Sequence, residues 1–209
     1  FMTTVGELQA RGLRFPIRHV CNSAALMRFP NMHLDMVRAG LILYGMWPKG
    51  CPEAYQPITL KPVMTLKTTV IHVKELPEGE AVSYGRHFTA PRKSVIATIP
   101  VGYADGYSRR LSNRADVLFR GQRARVIGSI CMDMCMIDVT DFEKRPGIGD
   151  EIILFGTETA ENRKYSLSVD EISDLLDTIN YEITCLVGKR VPRVFLKSGS
   201  IVHIDSCLR

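Results

Sequence analysis

Six short segments place polar side chains beside glycines or at the ends of strand-like runs. They are His19-Val20-Cys21-Asn22-Ser23, Val37-Arg38-Ala39-Gly40, Val82-Ser83-Tyr84-Gly85, Gly102-Tyr103-Ala104-Asp105-Gly106-Tyr107, Ile130-Cys131-Met132-Asp133 and Ile179-Asn180-Tyr181-Glu182. An arginine offers a cation that only donates, and a tyrosine offers a hydroxyl that binds or moves a proton. Each segment taken singly also has an ordinary structural reading. Asn22 and Ser23 suit a helix cap, Arg38 a paired structural arginine and Tyr84 a sheet tyrosine. Tyr103-Ala104-Asp105-Gly106 suits a turn, and Met132 suits a core.

More generic chemistries lack their signatures. The chain has no GxxxxGK[ST] or GxGxxG phosphate loop, no GxSxG elbow and no HExxH. Its six cysteines include no CxxC, and its five histidines are scattered without zinc spacing. Reduced core thiols fit better than a disulfide framework, which predicts a cytoplasmic setting. There is no metal-ligating pattern, and any chemistry must come from less common spacings.

The elements that would carry these segments change character along the chain. Thr4-x-x-Glu7 reads as a capping box opening a short helix, with Val5 and Leu8 inward and Gly12 at its end. Ile17–Cys21 reads as a strand running into a short helix that Pro30 stops, and Met36–Arg38 as a short buried strand. This is α/β grammar, with polar residues at strand ends, where barrel enzymes place their sites. Pro48, Gly50, Pro52, Pro57 and Pro62 then mark a linker. Beyond it β signals dominate: Met64–Lys74, a turn at Pro77-Glu78-Gly79, Ser94–Val101, and a hairpin of Val117–Arg120 with Arg123–Ile127. Cys135, Ile137 and Val139 alternate with polar neighbours, and Gly147–Asp150 turns into Glu151–Phe155. Ser168-x-x-Glu171 is a capping box for one helix reaching Ile179, and strands at Val191–Leu196 and Ile201–Ile204 follow. Short strands at this spacing predict a barrel or sandwich.

Composition bounds the alternatives. The chain has 209 residues, 45% of them hydrophobic and 23% charged, which predicts a folded core rather than disorder. The longest apolar run, Ala39–Trp47, is far below the ~18 residues of a membrane span, and FMTTVGELQ does not read as a signal peptide. A net charge of +5 is spread along the chain. Arg109–Arg110 and Arg123 with Arg125 read as a solvated face, not a nucleic-acid site.

In this order and spacing, the six segments closely resemble one family, alanine racemase. The resemblance runs from RHVCNSAALMRFP through MVRAGLILYG, VSYG, IPVGYADGYSR, ICMD and INYE to RVPRV. It implies an isomerase that uses pyridoxal 5'-phosphate to interconvert L- and D-alanine by two-base proton transfer at Cα. The product would serve peptidoglycan and the cell wall, and the enzyme would be a homodimer with active sites shared between subunits. Only the later part of the family is matched, and the lysine that forms the Schiff base would lie before Phe1. The resemblance therefore implies a mainly β C-terminal domain (residues 59–209, with one helix near 168–179) preceded by the last α/β units of a (β/α)8 barrel (residues 1–58). It also implies that this stretch alone is inactive.

Site roles follow from the matched positions. Ser23, with the backbone amides at Asn22, Ser23, Gly40 and Leu41, matches the phosphate site, since helix starts and glycine turns offer N–H groups to an anion. Tyr181 matches a tyrosine that also reaches the phosphate. Arg38 matches the arginine opposite the pyridine nitrogen, and His19 a residue near the ring that orients Arg38. Arg38 has no acceptor, so the ring nitrogen stays unprotonated and the electron sink is weak, which favours racemisation. Tyr84 matches the catalytic tyrosine acting on L-alanine, contributed across the dimer. A tyrosine ordinarily titrates near ~10, so this role calls for cationic neighbours. Tyr103 and Arg109 match the inner and outer substrate channel. Met132 matches a residue whose backbone N–H holds the substrate carboxylate.

Three positions depart from the family. Ser129 stands where an arginine is common at the channel entrance, Ala39 where a proline is common, and Met134 where a glutamine is usual. Ser129 keeps open a racemase of serine or a larger amino acid. A related decarboxylase shares the architecture, but Val-Ser-Tyr-Gly and Gly-Tyr-Ala-Asp-Gly argue against it. A third reading is that the chain in isolation is a non-catalytic domain.

Overall fold

Residues 1–50 and 58–207 are described by the computed structural model, whose backbone divides into two units, Phe1–Val63 and Met64–Arg209. The division falls beyond the expected 58/59 boundary because the Val63 N–H donates to the Tyr44 carbonyl at 3.2 Å. Pro52 and Pro57 of the expected linker lie outside the described residues.

The first unit is helical and looped. Helix α1 spans Met2–Ala10. It starts ahead of Thr4, with Phe1 as its cap, so Thr4 takes a helical position and the expected capping box does not form. Val5 is buried and Leu8 half-buried. At the other end, Gly12 (φ +89°) donates to the Gln9 carbonyl and Leu13 to the Leu8 carbonyl. This Schellman arrangement needs the left-handed backbone that glycine supplies. Helix α2 is Ser23–Arg28, followed by 3-10 turns at Pro30–Met32 and Leu41–Tyr44.

Neither expected strand of this unit forms among the described residues. Ile17–Cys21 and Met36–Arg38 run alongside each other, with Asp35 N–H donating to Arg18 O (3.1 Å) and Arg38 N–H to Cys21 O (2.9 Å). These bonds lie three residues apart, not at the two-residue spacing of a ladder. Met36, expected to be buried, is 40% exposed, and Ile17 is 61% exposed.

The second unit is organised by one sheet. Its strands are β1 (Leu66–Thr69), β2 (His72–Leu76), β5 (Ser94–Ile99), β6 (Asp116–Phe119), β7 (Gln122–Ile127), β8 (Cys135–Asp138), β9 (Glu151–Ala160) and β10 (Arg163–Leu167). Their order is β1-β9-β6-β7-β8-β5-β2, with β10 on β9, and every pairing is antiparallel. The first and last strands of that path, β1 and β2, are consecutive in the chain. Only Val70 and Ile71 separate them; Val70 N–H bonds Asp150 O on one edge and Ile71 N–H bonds Thr98 O on the other. Three Cα steps from Thr69 to His72 reach about 10 Å at most, so the two edges must meet and the sheet curls almost to closure. This is why Met64–Lys74, expected as one strand, is broken in two.

The interior is continuous along these strands: Ile96, Ile99, Val117, Val126, Ile137, Ile152 and Leu154 are all fully buried. The β6–β7 hairpin turns at Arg120 and Gly121, both at positive φ, as a type I′ turn requires. A small second sheet pairs β3 (Ala81–Val82) with β4 (Phe88–Thr89), and β11 (Arg193–Lys197) pairs with β12 (Ser200–Asp205).

Two helices follow β10 where one was expected. In α3 (Val169–Leu176) the Ser168 hydroxyl accepts the Glu171 N–H at 3.1 Å while the Glu171 carboxylate accepts the Ser168 N–H at 3.1 Å. Asp177 at φ +56° ends it before Ile179, and α4 (Asn180–Leu186) begins. Among the described residues the cysteine thiols are free, but Cys185 and Cys207 are exposed rather than in a core, while Cys21 and Cys135 are buried. Arg123 and Arg125 do not form a bare basic face: Arg123 pairs with Glu171 at 2.7 Å and Arg125 with Asp116 at 2.7 Å. No helix among the described residues is long and apolar enough to cross a membrane.

Candidate active site

In the first unit the polar residues gather at the start of α2. Asn22 caps that helix, its side-chain oxygen accepting the Ala25 N–H at 3.0 Å and its carbonyl the Leu26 N–H at 2.8 Å. The N–H groups of Ser23 and Ala24 are left without an intrahelical partner. Ser23 is buried, and its hydroxyl accepts the Gly40 N–H at 3.0 Å. That bond places Gly40 and the first turn of Leu41–Tyr44, with Leu41 buried, beside the helix start. A Cβ at Gly40 would meet only Ser23 Oγ, at 3.7 Å, so packing within this unit does not demand glycine.

Arg38 and His19 also meet. Arg38 Nη1 lies 2.6 Å from His19 Nδ1. A guanidinium has no lone pair to offer, so it donates and Nδ1 accepts, which leaves Nε2 as the histidine nitrogen that carries hydrogen. Arg18 and Asp35 brace the same two segments with a bond of 2.7 Å. The hydrogen bond from Arg18 holds the Asp35 carboxyl down at about 2.

In the second unit Tyr84 stands on the loop between β3 and β4, 73% exposed. The backbone around it is unusual: Ser83 (φ +67°, ψ 170°), Gly85 (φ +77°) and Arg86 (φ +52°) all have positive φ. For a residue with a Cβ, the Ser83 conformation costs about 1–3 kcal/mol and persists only where its surroundings enforce it. The enforcement is visible. Ser83 Oγ donates to Ser129 O at 2.6 Å, and Ser129 Oγ donates to Tyr84 O at 3.0 Å. On the far side of the loop, Asn113 Nδ2 donates to His87 O at 3.2 Å while Asn113 Oδ1 accepts the Gly128 N–H at 2.6 Å.

Tyr103, Met132 and Arg109 lie on neighbouring loops. Tyr103 N–H donates to Cys131 O and Ala104 N–H to Met132 O, at 3.1 and 3.0 Å. Gly102 makes this approach possible, since a Cβ there would stand 2.2 Å from Cys131 O and 2.3 Å from Met132 O. Tyr103 and Met132 are exposed, at 43% and 52%. Arg109 Nη1 donates to Ile130 O at 2.9 Å, and the Ile130 N–H donates to Ser112 Oγ. Tyr181 is half-buried on α4, which Asn180 ties to the first turn of α3 through Asp170 Oδ1 at 2.7 Å.

Sequence reading passed over the ties between these loops. Arg190 bonds Asp105 (3.2 Å) and Asp133 (2.7 Å), and the Gly188 N–H donates to Asp105 O. The Tyr103 loop, the Met132 loop and the end of α4 are thereby locked together. Asp105 and Asp133 did stand inside the motif segments; an acid in a glycine turn is a signal for such a tie. Ser83, Asn113 and the role of Ser129 gave no comparable local signal.

Taken in chain order, the two units are the end of a (β/α)8 barrel followed by a mainly β domain. The family model for "Alanine racemase, N-terminal domain" matches residues 1–48, and that for "Alanine racemase, C-terminal domain" matches residues 63–195. Alanine racemase 1 of Clostridium acetobutylicum is 47% identical over 95% of this chain and 50% of its own length. The solved alanine racemase from Bacillus anthracis with bound L-Ala-P superposes with a TM-score of 0.91 at 32% identity, over 100% of this chain and 52% of that one. The alanine racemase from Bartonella henselae with covalently bound pyridoxal phosphate gives 0.74 at 31%, over 90% of this chain and 48% of that one. The chain belongs to the alanine racemase family. It spans about half the length of the curated relatives it matches.

Proposed function

We infer that the protein carrying this chain is a pyridoxal 5'-phosphate-dependent alanine racemase, a cytoplasmic homodimer that interconverts L- and D-alanine and supplies D-alanine for the cell wall. The observation that carries the reading is Tyr84, held out toward solvent on a strained loop fixed from both sides. The donor set of the first unit fits the cofactor's phosphate: two helix-start N–H groups, a buried hydroxyl, and a glycine that local packing does not require. Pyridoxal phosphate, when bound, makes the Cα–H of an amino acid acidic by drawing electrons from it.

The chain's residues then divide the work. The Ser23 hydroxyl, which accepts the Gly40 N–H and keeps its own hydrogen to donate, would hold the phosphate with the N–H groups of Asn22, Ser23 and Leu41, and Tyr181 would supply a further hydroxyl. Arg38, fixed by His19, would donate a hydrogen bond to the ring nitrogen and, having no acceptor, would leave that nitrogen unprotonated. Tyr84 Oη takes the proton from L-alanine or returns it on that face, in the partner's site. A lysine that this chain's matched segments do not carry serves the other face. Tyr103 and Arg109 line the approach, and the Met132 N–H holds the substrate carboxylate.

Incubation of the whole protein with pyridoxal phosphate and L-alanine is expected to yield D-alanine; no interconversion in either direction would end the reading. The two alanines have equal free energy, so Tyr84→Phe must lower kcat/KM equally in both directions, by about 10²–10⁴. Wild-type turnover would remove Tyr84 from the chemistry. Ser129 keeps a broader substrate range open, and a panel of serine and larger amino acids in the same assay discriminates it from alanine.

A further inference from the structure

We propose that Ser129 is a positioning residue for Tyr84, and that the reciprocal pair it forms with Ser83 sets where the Tyr84 hydroxyl stands. The proposal rests on the racemase reading above, because it concerns the aim of the proton-transferring group.

Ser129 is only 3% exposed, one residue past Gly128 at the end of β7. Two serines bind across 46 residues of sequence: Ser83 donates to the Ser129 carbonyl, and one residue on, Ser129 donates to the Tyr84 carbonyl. One bond holds the Ser83 side chain and the other the carbonyl of the Tyr84–Gly85 peptide, so the chain on either side of the Tyr84 Cα is tied to one strand end. The fit is close, since a Cβ on Gly128 would lie 2.8 Å from Ser83 Cβ and 3.1 Å from Val82 O. The Cys131 thiol lies 3.7 Å from Ser83 Oγ and donates to the same Ser129 carbonyl at 3.6 Å.

These bonds act where the backbone needs them. Ser83 adopts a conformation that a residue with a Cβ holds only when its surroundings enforce it. The Tyr84 side chain is 73% exposed and receives little packing of its own. Its direction must therefore come from its backbone, which has two anchors: Ser129 before the turn and Asn113 after it. The Arg86 N–H to Ser83 O bond at 3.3 Å closes the turn between them. A side chain too long for this buried slot, such as the arginine common at this position in the family, could not make the Ser129 bond.

The experiment uses the whole holoenzyme and compares Ser129→Ala, which removes the donor, with Ser129→Thr, which keeps it. A merely structural site would lower activity in step with thermal stability. Positioning predicts a specific signature instead. In Ser129→Ala, kcat falls on the order of ten-fold or more, with KM little changed. The primary isotope effect with α-deuterated L-alanine rises, because its proton transfer becomes rate-limiting, while that with α-deuterated D-alanine falls. Ser129→Thr returns both isotope effects toward wild type. Unchanged isotope effects in Ser129→Ala, or a threonine variant as impaired as the alanine one, would overturn the proposal. If Ser129→Ala does not fold, Ser83→Ala breaks the reciprocal bond and is read the same way. Hydrogen exchange at the Arg86 amide separates this proposal from the racemase reading. Faster exchange in Ser129→Ala but not Ser129→Thr supports the clasp even in a protein that racemises nothing; equal exchange in both counts against it.

Discussion

The two units contain similar strand-like sequences and treat them differently. Ile17–Cys21 and Met36–Arg38 have the apolar character of strands, yet no ladder forms on them and Ile17 and Met36 stay exposed. In the second unit, Asp116–Phe119 and Gln122–Ile127 pair across a two-residue turn and bury Val117 and Val126 completely. The contrast follows from the kind of pairing. An antiparallel strand can find its partner across a turn, while a parallel barrel strand needs neighbours brought in by crossover connections. Strand propensity is thus a request for partners, and only the second unit answers it within these residues.

The largest expected effect measures that difference in stability. In urea unfolding of the 209-residue chain, Ile96→Ala is expected to cost about 2–5 kcal/mol, as a core truncation that leaves a cavity. Ile17→Ala, on an exposed side chain, is expected to cost under about 0.5 kcal/mol. Comparable costs would erase the distinction between the units.

Next in size is the junction between loops of the second unit. Gly102→Ala drives a Cβ into the carbonyls of Cys131 and Met132, and overpacking of this kind costs about 1–3 kcal/mol. It should also raise KM for alanine in the whole protein, because Tyr103 and Met132 move apart. An alanine variant with wild-type stability and KM would show that these loops are not locked. Arg190→Ala is expected to act in the same direction but more weakly, because solvent screens the ion pairs of its exposed guanidinium.

The smallest effect is a pH dependence in the first unit. Asp35 is held at about 2 by the Arg18 hydrogen bond, below the ~3.9 of an unfolded aspartate. Its contribution is fully present above the unfolded value and is lost as pH falls through the folded one. Asp35→Asn should therefore flatten stability against pH between about 4 and 2. Glu171 of the second unit, lowered chiefly by the Arg123 hydrogen bond, has the same sign. If Asp35→Asn leaves the slope unchanged, the Arg18 bond contributes nothing.

The same contrast explains what the sequence made legible. The β6–β7 hairpin, the alternation of β8 and the Ser168–Glu171 box depend on residues a few positions apart; the alternation and the box stand as read, and the hairpin forms with its turn one residue earlier, at Arg120-Gly121. The β9–β10 hairpin escaped because Glu161-Asn162 supplies its turn without a glycine, both residues at positive φ. Helix α4 escaped because its start lacks a side-chain cap. The capping box at Thr4 failed because the helix had already begun. At the site, motif segments carried the residues that face outward, such as Tyr84, Tyr103 and Met132. The bonds that hold them, Ser129 to Tyr84 and Arg190 to Asp133, join positions 45 and 57 residues apart. No local pattern announces such pairs.

The proposed role of Tyr84 is to handle the Cα proton on the L face. The direct measurement is the pair of primary isotope effects on racemisation in the whole Tyr84→Phe holoenzyme, using α-deuterated L- and D-alanine. With Tyr84 in that role, the variant enzyme is strongly slowed, its effect with L-alanine rises and its effect with D-alanine falls. A Tyr84→Phe enzyme with wild-type kcat/KM, or one slowed with both isotope effects unchanged, would contradict it.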